Sequence, residues 1–251
     1  MSKTHGDFVW YELMTRDTKA AAEFYGAVVG WTSQDTSIPG VNYTTFLTGG
    51  HRVAGLMELP EGAPPCWIGY IGADDVDASA GKVAELGGVV HRQPDDIPSI
   101  GRFAVVADPH GAVFSLFKGT GEMPQIPQHA DGNVGWHELM SGDLAGAWTF
   151  YEQMFGWTKD QAIPMGEMGD YQLFANGGNA IGGMMTKLPS IPAPPYWGFY
   201  FNVDGLDAAI ERATTRGAKV VNGPMEVPGG AWIVNAMDPQ GVFFNLVSMT
   251  K

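Results

Sequence analysis

The chain has 251 residues, of which 45% are hydrophobic and 16% are charged, a globular composition long enough for one large or two small domains. Its 14 Lys and Arg residues against 27 Asp and Glu residues give a formal net charge of −13, which argues against binding to nucleic acids or anionic membrane surfaces. There is no run of 18 apolar residues, and the single cysteine, Cys66, favours a cytoplasmic protein without an internal disulfide.

One tryptophan spacing recurs four times along the chain. In each case a Trp stands seven positions before an Asp. The four segments are Trp10 to Asp17, Trp67 to Asp74, Trp136 to Asp143 and Trp197 to Asp204. A repeat of this kind sets the architecture, so we predict that one small module is used four times.

The first module, residues 7–62, begins with a strand-like segment over residues 8–14, in which aromatic and apolar residues are interleaved with polar ones. Asp17 is expected to cap a helix over residues 18–29, and Gly30 is expected to end it. Three short strand candidates separated by Gly-rich breaks follow. The predicted order is therefore β-α-β-β-β.

The second module, residues 66–118, has the same predicted order, with its helix at about residues 78–86. Its last two strands are joined by Asp108-Pro-His-Gly111, in which Pro fixes φ and Gly accepts the positive φ that follows. Residues 119–132 are rich in Gly, Pro and Gln and have no apolar period, which predicts a linker.

The second half of the chain repeats the first. The third module, residues 133–188, copies the first, and the fourth, residues 195–250, copies the second, including the turn Asp238-Pro-Gln-Gly241. Because the linker lies at the midpoint, the sequence favours two domains, residues 1–118 and 133–251, each made of consecutive modules. Pairing of module one with four and of two with three stays open.

These patterns resemble the vicinal oxygen chelate superfamily, which includes glyoxalase I, bleomycin-resistance proteins and extradiol dioxygenases. The most specific pieces are Phe24-Tyr25 with Gly30-Trp31, Asp74-Asp-Val-Asp77 with Leu86-Gly-Gly88, and the 108–111 hairpin. The resemblance implies an α+β fold in which four βαβββ modules pair into two cupped, mixed-sheet lobes of about eight strands each. Helices would cover the convex side, and a ligand would lie in each concavity.

The resemblance also implies a divalent metal, held by a His on a first strand and a Glu on a last strand. Here the first-strand positions hold the repeated Trp, which has no lone pair for a metal, and the last-strand positions hold Ser115 and Asn245, which are not usual ligands. We therefore predict no catalytic metal and no cofactor. His137 is the remaining candidate ligand, because a β-bulge would turn it towards the face of Glu138.

Strand alternation places Trp10 with Glu12 and Trp136 with Glu138 on shared faces. If those faces are concave, each cup has an aromatic wall and a carboxylate that burial would tune for general acid or base chemistry. The predicted ligand contacts are Trp10, Trp67, Trp136, Trp197, Ser115 and Asn245. Packing of the tryptophans in the sheet and backbone bonding of the glutamates are the competing structural explanations.

Two functions follow. In the first, the protein binds a small organic molecule in an aromatic-lined cup without a metal. In the second, it is a glyoxalase-like lyase or isomerase that acts on a small carbonyl compound, with Glu12 or Glu138 as the catalytic general base. A third reading makes the second half a structural partner only. In each case we expect a monomer or homodimer whose partner is a small molecule rather than nucleic acid or membrane.

Overall fold

The computed structural model describes residues 4–38, 41–121 and 127–251. Part of the predicted linker, residues 122–126, lies outside the described residues. The described residues form two eight-stranded mixed sheets and four α-helices, which confirms the predicted α+β class and the βαβββ order. In this part of the chain no helix has the length and apolar character needed to cross a membrane.

The first two modules contain the elements β1 to β8, α1 and α2. Module one comprises β1 (Phe8–Thr15), α1 (Thr18–Val29), β2 (Thr32–Ile38), β3 (Val41–Thr48) and β4 (His51–Glu58). Module two comprises β5 (Cys66–Gly72), α2 (Val76–Glu85), β6 (Val89–Ile97), β7 (Gly101–Ala107) and β8 (Val113–Gly119).

The last two modules repeat this order, with a short 3-10 turn at Gly166–Met168. Module three comprises β9 (Val134–Ser141), α3 (Leu144–Phe155), β10 (Thr158–Pro164), β11 (Asp170–Ala175) and β12 (Ala180–Thr186). Module four comprises β13 (Tyr196–Asn202), α4 (Leu206–Thr214), β14 (Lys219–Glu226), β15 (Trp232–Met237) and β16 (Phe243–Ser248).

The strand order of the first sheet is β2-β3-β4-β1-β5-β8-β7-β6, and that of the second is β10-β11-β12-β9-β13-β16-β15-β14. In every module the first strand pairs with the last strand in parallel, and the remaining pairs are antiparallel hairpins. Each sheet thus contains two consecutive modules.

The two compact units of the chain do not coincide with its two sheets. One compact unit consists of Met1–Val9, Ile68–Met123 and His137–Trp197, and the other of Trp10–Trp67, Pro124–Trp136 and Gly198–Lys251. The domain boundaries expected from the sequence, 1–118 and 133–251, stay a prediction.

Helix capping confirms the predicted starts of α1 and α3 but moves those of α2 and α4. Asp17 accepts a hydrogen bond from the backbone N–H of Ala20, and Asp143 caps α3 in the same way. In α2 the cap is Asp75, and in α4 it is Gly205, so both caps lie one residue after the repeated Asp. This shift by one residue decides which way the repeated tryptophans point.

Each compact unit is built around one buried helix tyrosine. In the unit that contains α1, the Tyr25 ring contacts Trp31, Trp67, Phe201 and Phe244 at centroid distances of 5.2 to 6.3 Å. In the other unit, the corresponding tyrosine of α3 packs in the same way. Its ring partners are Phe114, Phe155, Trp157 and Trp197 around Tyr151.

The hydroxyl of each tyrosine links a strand tryptophan to the Asp-Pro-x-Gly turn. Trp67 Nε1 donates to Tyr25 Oη at 3.0 Å, and Tyr25 Oη donates to Asp238 Oδ2 at 3.1 Å. The other oxygen of Asp238 accepts the backbone N–H groups of Gln240 and Val242 and so closes the turn. Burial and the nearby Asp238 charge raise the pKa of Tyr25 well above its ordinary value, so the phenol remains a donor.

The second unit repeats this three-residue chain. Trp197 Nε1 donates to Tyr151 Oη at 3.0 Å, which donates to Asp108 Oδ2 at 3.2 Å. The tyrosine of the Phe-Tyr motif is therefore the middle member of a buried hydrogen-bond network that joins a strand tryptophan, a helix and the Asp-Pro-x-Gly turn.

Candidate functional site

The Trp10 and Glu12 side chains lie together on one face of β1, as strand alternation predicts. Trp10 Nε1 donates to Tyr43 Oη at 3.0 Å, and Tyr43 Oη donates to Glu12 Oε2 at 2.9 Å. Leu13 is fully buried on the other face of β1, and Phe46, three residues after Tyr43 on β3, contacts the Tyr25 ring of α1. The Glu12 cluster, defined as Trp10, Glu12 and Tyr43, therefore lies on the sheet face that points away from α1.

A glycine makes the Glu12 cluster possible. Gly55 on β4 stands between Glu12 of β1 and Thr45 of β3 in the strand register. A Cβ atom at Gly55 would overlap the Tyr43 hydroxyl oxygen, an approach that sterics forbid. Since Gly55 has no side chain, the Tyr43 ring can cross β4 and reach the carboxylate on β1.

The second half of the chain repeats this packing. Glu138 on β9 is in register with Gly183 on β12, and a Cβ at Gly183 would overlap the Tyr171 ring. Tyr171 thus crosses its glycine as Tyr43 crosses Gly55. Glu12 is 7% exposed and Glu138 is half-buried. The two halves therefore share a glutamate, a tyrosine and a glycine in one arrangement.

The residue next to each carboxylate differs between the halves. Burial, and then the Glu12 charge, raise the pKa of Cys66 to about 11. Burial and the Glu138 charge raise the pKa of Tyr196, its counterpart, to about 12. The thiol is therefore protonated at neutral pH and is a poor nucleophile, so the lone cysteine acts as a neighbour of Glu12 rather than as a reactive group.

The expectation for Trp67 and Trp197 requires correction. Both lie on the helix side of their sheets, 8% and 5% exposed, and donate to the buried tyrosines of α1 and α3. Trp67 stands eight residues before its helix cap, Asp75, whereas Trp10 stands seven before Asp17. Because side chains alternate between faces, a shift of one residue turns the indole to the opposite face. These two tryptophans belong to the core.

Ser115 and Asn245, at the last-strand positions, are both fully buried. Asn245 Oδ1 accepts from Asn235 Nδ2 at 2.8 Å, and Asn245 Nδ2 donates to the carbonyl of Phe199 at 3.3 Å. Ser115 Oγ has no hydrogen-bond partner among the described residues. The ligand contacts expected of these two residues stay a prediction, as do those of the half-buried Trp136.

His137 lies on the helix side of β9, as expected from regular alternation without a bulge. Its ring stacks on Phe8 with centroids 4.0 Å apart, and its Nδ1 lies 2.6 Å from the carbonyl oxygen of Ile181. Burial lowers the pKa of His137 to about 4, against a smaller opposing effect of the Ile181 bond. At neutral pH the ring is uncharged, Nδ1–H donates to Ile181, and the imidazole does not share the face of Glu138.

The side chains at the Glu12 cluster do not fit the divalent metal that the resemblance implies. Over residues 4–38, 41–121 and 127–251, no three His, Cys, Asp or Glu side chains converge. The cluster supplies a carboxylate, an indole that only donates, and a phenol that would have to lose its proton before it could bind a metal. The chemistry of these groups is hydrogen bonding and proton transfer.

Tyr43 and Tyr171 were not among the residues predicted for the site, although the sequence contains a repeat that includes both. Tyr43 and Gly55 recur as Tyr171 and Gly183 at one common offset, as the glutamates nearly do. A glycine repeated inside a strand marks a close approach by another group. That principle would have pointed to the two tyrosines.

Comparison with known proteins agrees with this fold. Residues 133–246 match the family model described as the glyoxalase/bleomycin resistance protein/dioxygenase superfamily, and residues 10–117 match the glyoxalase-like domain. The chain is 33% identical over 246 residues to CFP32 of Mycobacterium tuberculosis (strain CDC 1551 / Oshkosh), covering 95% of this chain and 93% of that protein. The chain belongs to this superfamily. The name of CFP32 assigns it provisionally to the glyoxylases.

A second relative of the chain is the anthracycline biosynthesis protein DnrV of Streptomyces peucetius. It is 31% identical over 265 residues, covering 96% of this chain and 93% of DnrV. Both relatives match along nearly their whole length, so the tandem arrangement is shared.

Solved structures of the superfamily have the same fold. The Mn(II)-bound glyoxalase of Novosphingobium aromaticivorans has a TM-score of 0.66 and 17% identity, covering 99% of this chain and 83% of that one. The 2,2',3-trihydroxybiphenyl 1,2-dioxygenase of Sphingomonas wittichii strain RW1 has a TM-score of 0.69 and 13% identity, covering 97% and 90%. At these identities the similarity concerns the fold alone.

Proposed function

We propose that the protein binds a small organic molecule at the Glu12 cluster, with Glu12 as the polar anchor and the rings of Trp10 and Tyr43 as apolar contacts. The repeated cluster at Glu138 is a second candidate site. Neither site requires a metal in this proposal.

The observation that carries the proposal is the hydrogen-bond chain from Trp10 through Tyr43 to a carboxylate that is 7% exposed. A buried charge is costly unless it is hydrogen-bonded, and the neutral phenol of Tyr43 provides such a bond without cancelling the charge. Aromatic rings with a few placed polar groups are characteristic of small-molecule sites. Repetition of the glutamate, tyrosine and glycine in the second half supports a role beyond local packing.

The relatives support an aromatic ligand. DnrV is named for anthracycline biosynthesis, and anthracyclines are polycyclic aromatic compounds. A flat aromatic molecule with hydroxyl groups suits the Glu12 cluster, because its ring packs on indole and phenol while its hydroxyls donate to the carboxylate.

The alternative is an enzyme in which Glu12 is a general base. The provisional glyoxylase name of CFP32 and the low exposure of the carboxylate favour it. In that mechanism Glu12 removes a proton next to the carbonyl group of a small substrate, and Tyr43 keeps the carboxylate oriented.

Calorimetric titration with 2,6-dihydroxyanthraquinone, whose hydroxyl groups lie away from its carbonyl groups and can donate to the protein, tests the binding function. We expect Glu12→Gln to weaken binding at least about tenfold, since a hydrogen bond to a charged group is lost. Glu23→Gln, which removes the same charge from the exposed face of α1, is the matched control and should bind as the unaltered protein does. Equal binding by both variants would remove Glu12 from the site.

A turnover assay separates the two functions. The hemithioacetal of methylglyoxal and glutathione is supplied as substrate, with and without a metal chelator. Turnover that resists chelation and disappears in Glu12→Gln would establish the enzyme. Binding without turnover supports the binding protein, and a stoichiometric first-row metal in the purified protein would overturn the metal-free proposal.

A further inference from the structure

We propose that Tyr43 is a positioning residue that fixes the direction of the hydrogen bonds at Glu12 and so restricts the first site to ligands that donate, protonated organic amines above all. This inference rests on the proposed function and names the ligand class of the same site.

The direction of the chain follows from the chemistry of its members. An indole N–H can only donate, so the contact between Trp10 Nε1 and Tyr43 Oη requires the phenol oxygen to accept. The single phenol hydrogen must then point elsewhere, and Glu12 Oε2, at 2.9 Å, receives it. The indole hydrogen is thus directed to the phenol oxygen, and the phenol hydrogen to the carboxylate.

A site arranged in this way presents an acceptor to its ligand. A carboxylate has about four lone-pair positions, so one that accepts from Tyr43 is still able to accept from a bound molecule. An ammonium group meets a charge partner there, and the indole of Trp10 adds cation–π attraction. A ketone or a carboxylate brings only acceptor atoms and meets repulsion. The net charge of −13 also favours cations near the protein.

The fold enforces this arrangement. The Tyr43 ring occupies the space over Gly55 that any side chain would fill, since a Cβ atom there would overlap the hydroxyl oxygen. The ring therefore fills a space over β4, between β3 and β1, that the fold provides, and its hydroxyl is held at the Glu12 carboxylate. The equivalent space over Gly183 is filled by Tyr171.

The closing experiment measures a preference rather than a single affinity. In a Glu138→Gln background, which disables the second candidate site, dissociation constants are measured for 2-phenylethylammonium and for acetophenone, an acceptor of similar size. We expect the amine to bind at least about tenfold more tightly, as for a charge-assisted hydrogen bond. Equal affinities would overturn the inference and leave the proposed function standing. Failure of both probes to bind would overturn this inference, whereas the proposed function is decided separately by the calorimetric titration with the dihydroxyanthraquinone.

Tyr43→Phe then tests the positioning role. Without the phenol, the Trp10 N–H becomes available to a ligand carbonyl, and Glu12 loses a neutral partner. We expect the tenfold preference to fall to about twofold, a change in selectivity that mere loss of stability would not produce. Trp10→Phe removes the donor that sets the direction of the phenol, so that the Tyr43 hydroxyl can turn towards a ligand carbonyl, and it weakens the cation–π attraction. The preference for the amine should therefore fall in this variant too, which keeps the test valid if Tyr43→Phe fails to fold.

Tyr171→Phe is the matched control, because it removes the same hydroxyl from the other half of the chain. It should leave the preference at the first site unchanged. A preference that survives both Tyr43→Phe and Trp10→Phe would show that neither residue selects the ligand, and it would overturn the inference.

Discussion

Trp10 and Trp67 occupy the same position in the sequence repeat and lie on opposite faces of the sheet. Trp10 is half-buried and donates to Tyr43, which holds Glu12. Trp67 is 8% exposed and donates to Tyr25 beneath α1. One indole therefore contributes to a candidate ligand site and the other to the core.

The difference shows that the spacing from a tryptophan to the helix cap predicts its face of the sheet, whereas the spacing to the repeated aspartate does not. Asp17 caps α1, but Asp75, not Asp74, caps α2. Since the cap marks where the helix begins, the repeated Trp of module two lies one residue further from the start of its helix than the repeated Trp of module one. One residue is enough to exchange the two faces.

The largest expected effect is a loss of stability, and it tests the comparison of Trp67 with Trp10 directly. Trp67→Ala should lower the free energy of unfolding by about 3–5 kcal/mol, because it empties a large core volume and leaves the Tyr25 hydroxyl without its donor. Trp10→Ala should cost about 1 kcal/mol, because the half-buried ring leaves a space that water can enter. Urea denaturation followed by circular dichroism measures both. Equal losses would contradict the assignment of the two indoles to different faces.

The pH dependence of stability tests the face assignment of His137. Burial lowers its folded pKa to about 4 from 6.5, so the stabilising difference is fully present above pH 6.5 and is lost as the pH falls towards 4. The shift corresponds to about 3 kcal/mol. Denaturation curves between pH 7 and pH 4 should show a loss of this order.

The matched control for His137 comes from module one, where Tyr11 holds the same position. His137→Tyr removes the ionisable imidazole from the buried site. We expect this variant to lose the part of the pH dependence that lies between 6.5 and 4. An unchanged profile would mean that other groups cause the acid sensitivity.

Removal of the helix hydroxyl has a smaller expected effect. Tyr25→Phe leaves Asp238 Oδ2 and Trp67 Nε1 without their shared partner, and should cost about 1–3 kcal/mol of unfolding free energy. Tyr43→Phe, whose partner Trp10 is half-buried, should cost less. Chemical denaturation of the two variants side by side measures the difference, and a larger loss in Tyr43→Phe would reverse our ranking of the two networks.

The smallest effect distinguishes Glu12 from Glu138. Burial is the main cause of the raised pKa of Cys66, about 11, and the Glu12 charge is the second. Glu12→Gln should therefore lower this pKa and speed alkylation of the thiol at pH 9 by a few-fold. Glu138→Gln should leave the rate unchanged. Mass spectrometry of the alkylated protein gives both rates.

Features that depend on residues close together in the chain could be predicted from the sequence, and features that depend on distant residues could not. Asp17 and Gly30 bracket α1 through bonds within one turn of helix, so the pattern alone located that helix. The pairing of Trp10 with Glu12 followed from strand alternation. The partner of both, Tyr43, comes from another strand and reaches them only across Gly55, so no local pattern contained it.

The sequence by itself determined the modules, their β-α-β-β-β order and the turns, because hydrophobic period, caps and Pro-Gly turns act over a few residues. Tertiary structure alone decided that Tyr25 meets Asp238, 213 residues away, and that Trp67 lies beneath α1. The physical reason is that a side chain's face depends on a one-residue register and its partner on which strands and helices pack together. Neither quantity is encoded in any single stretch of the chain.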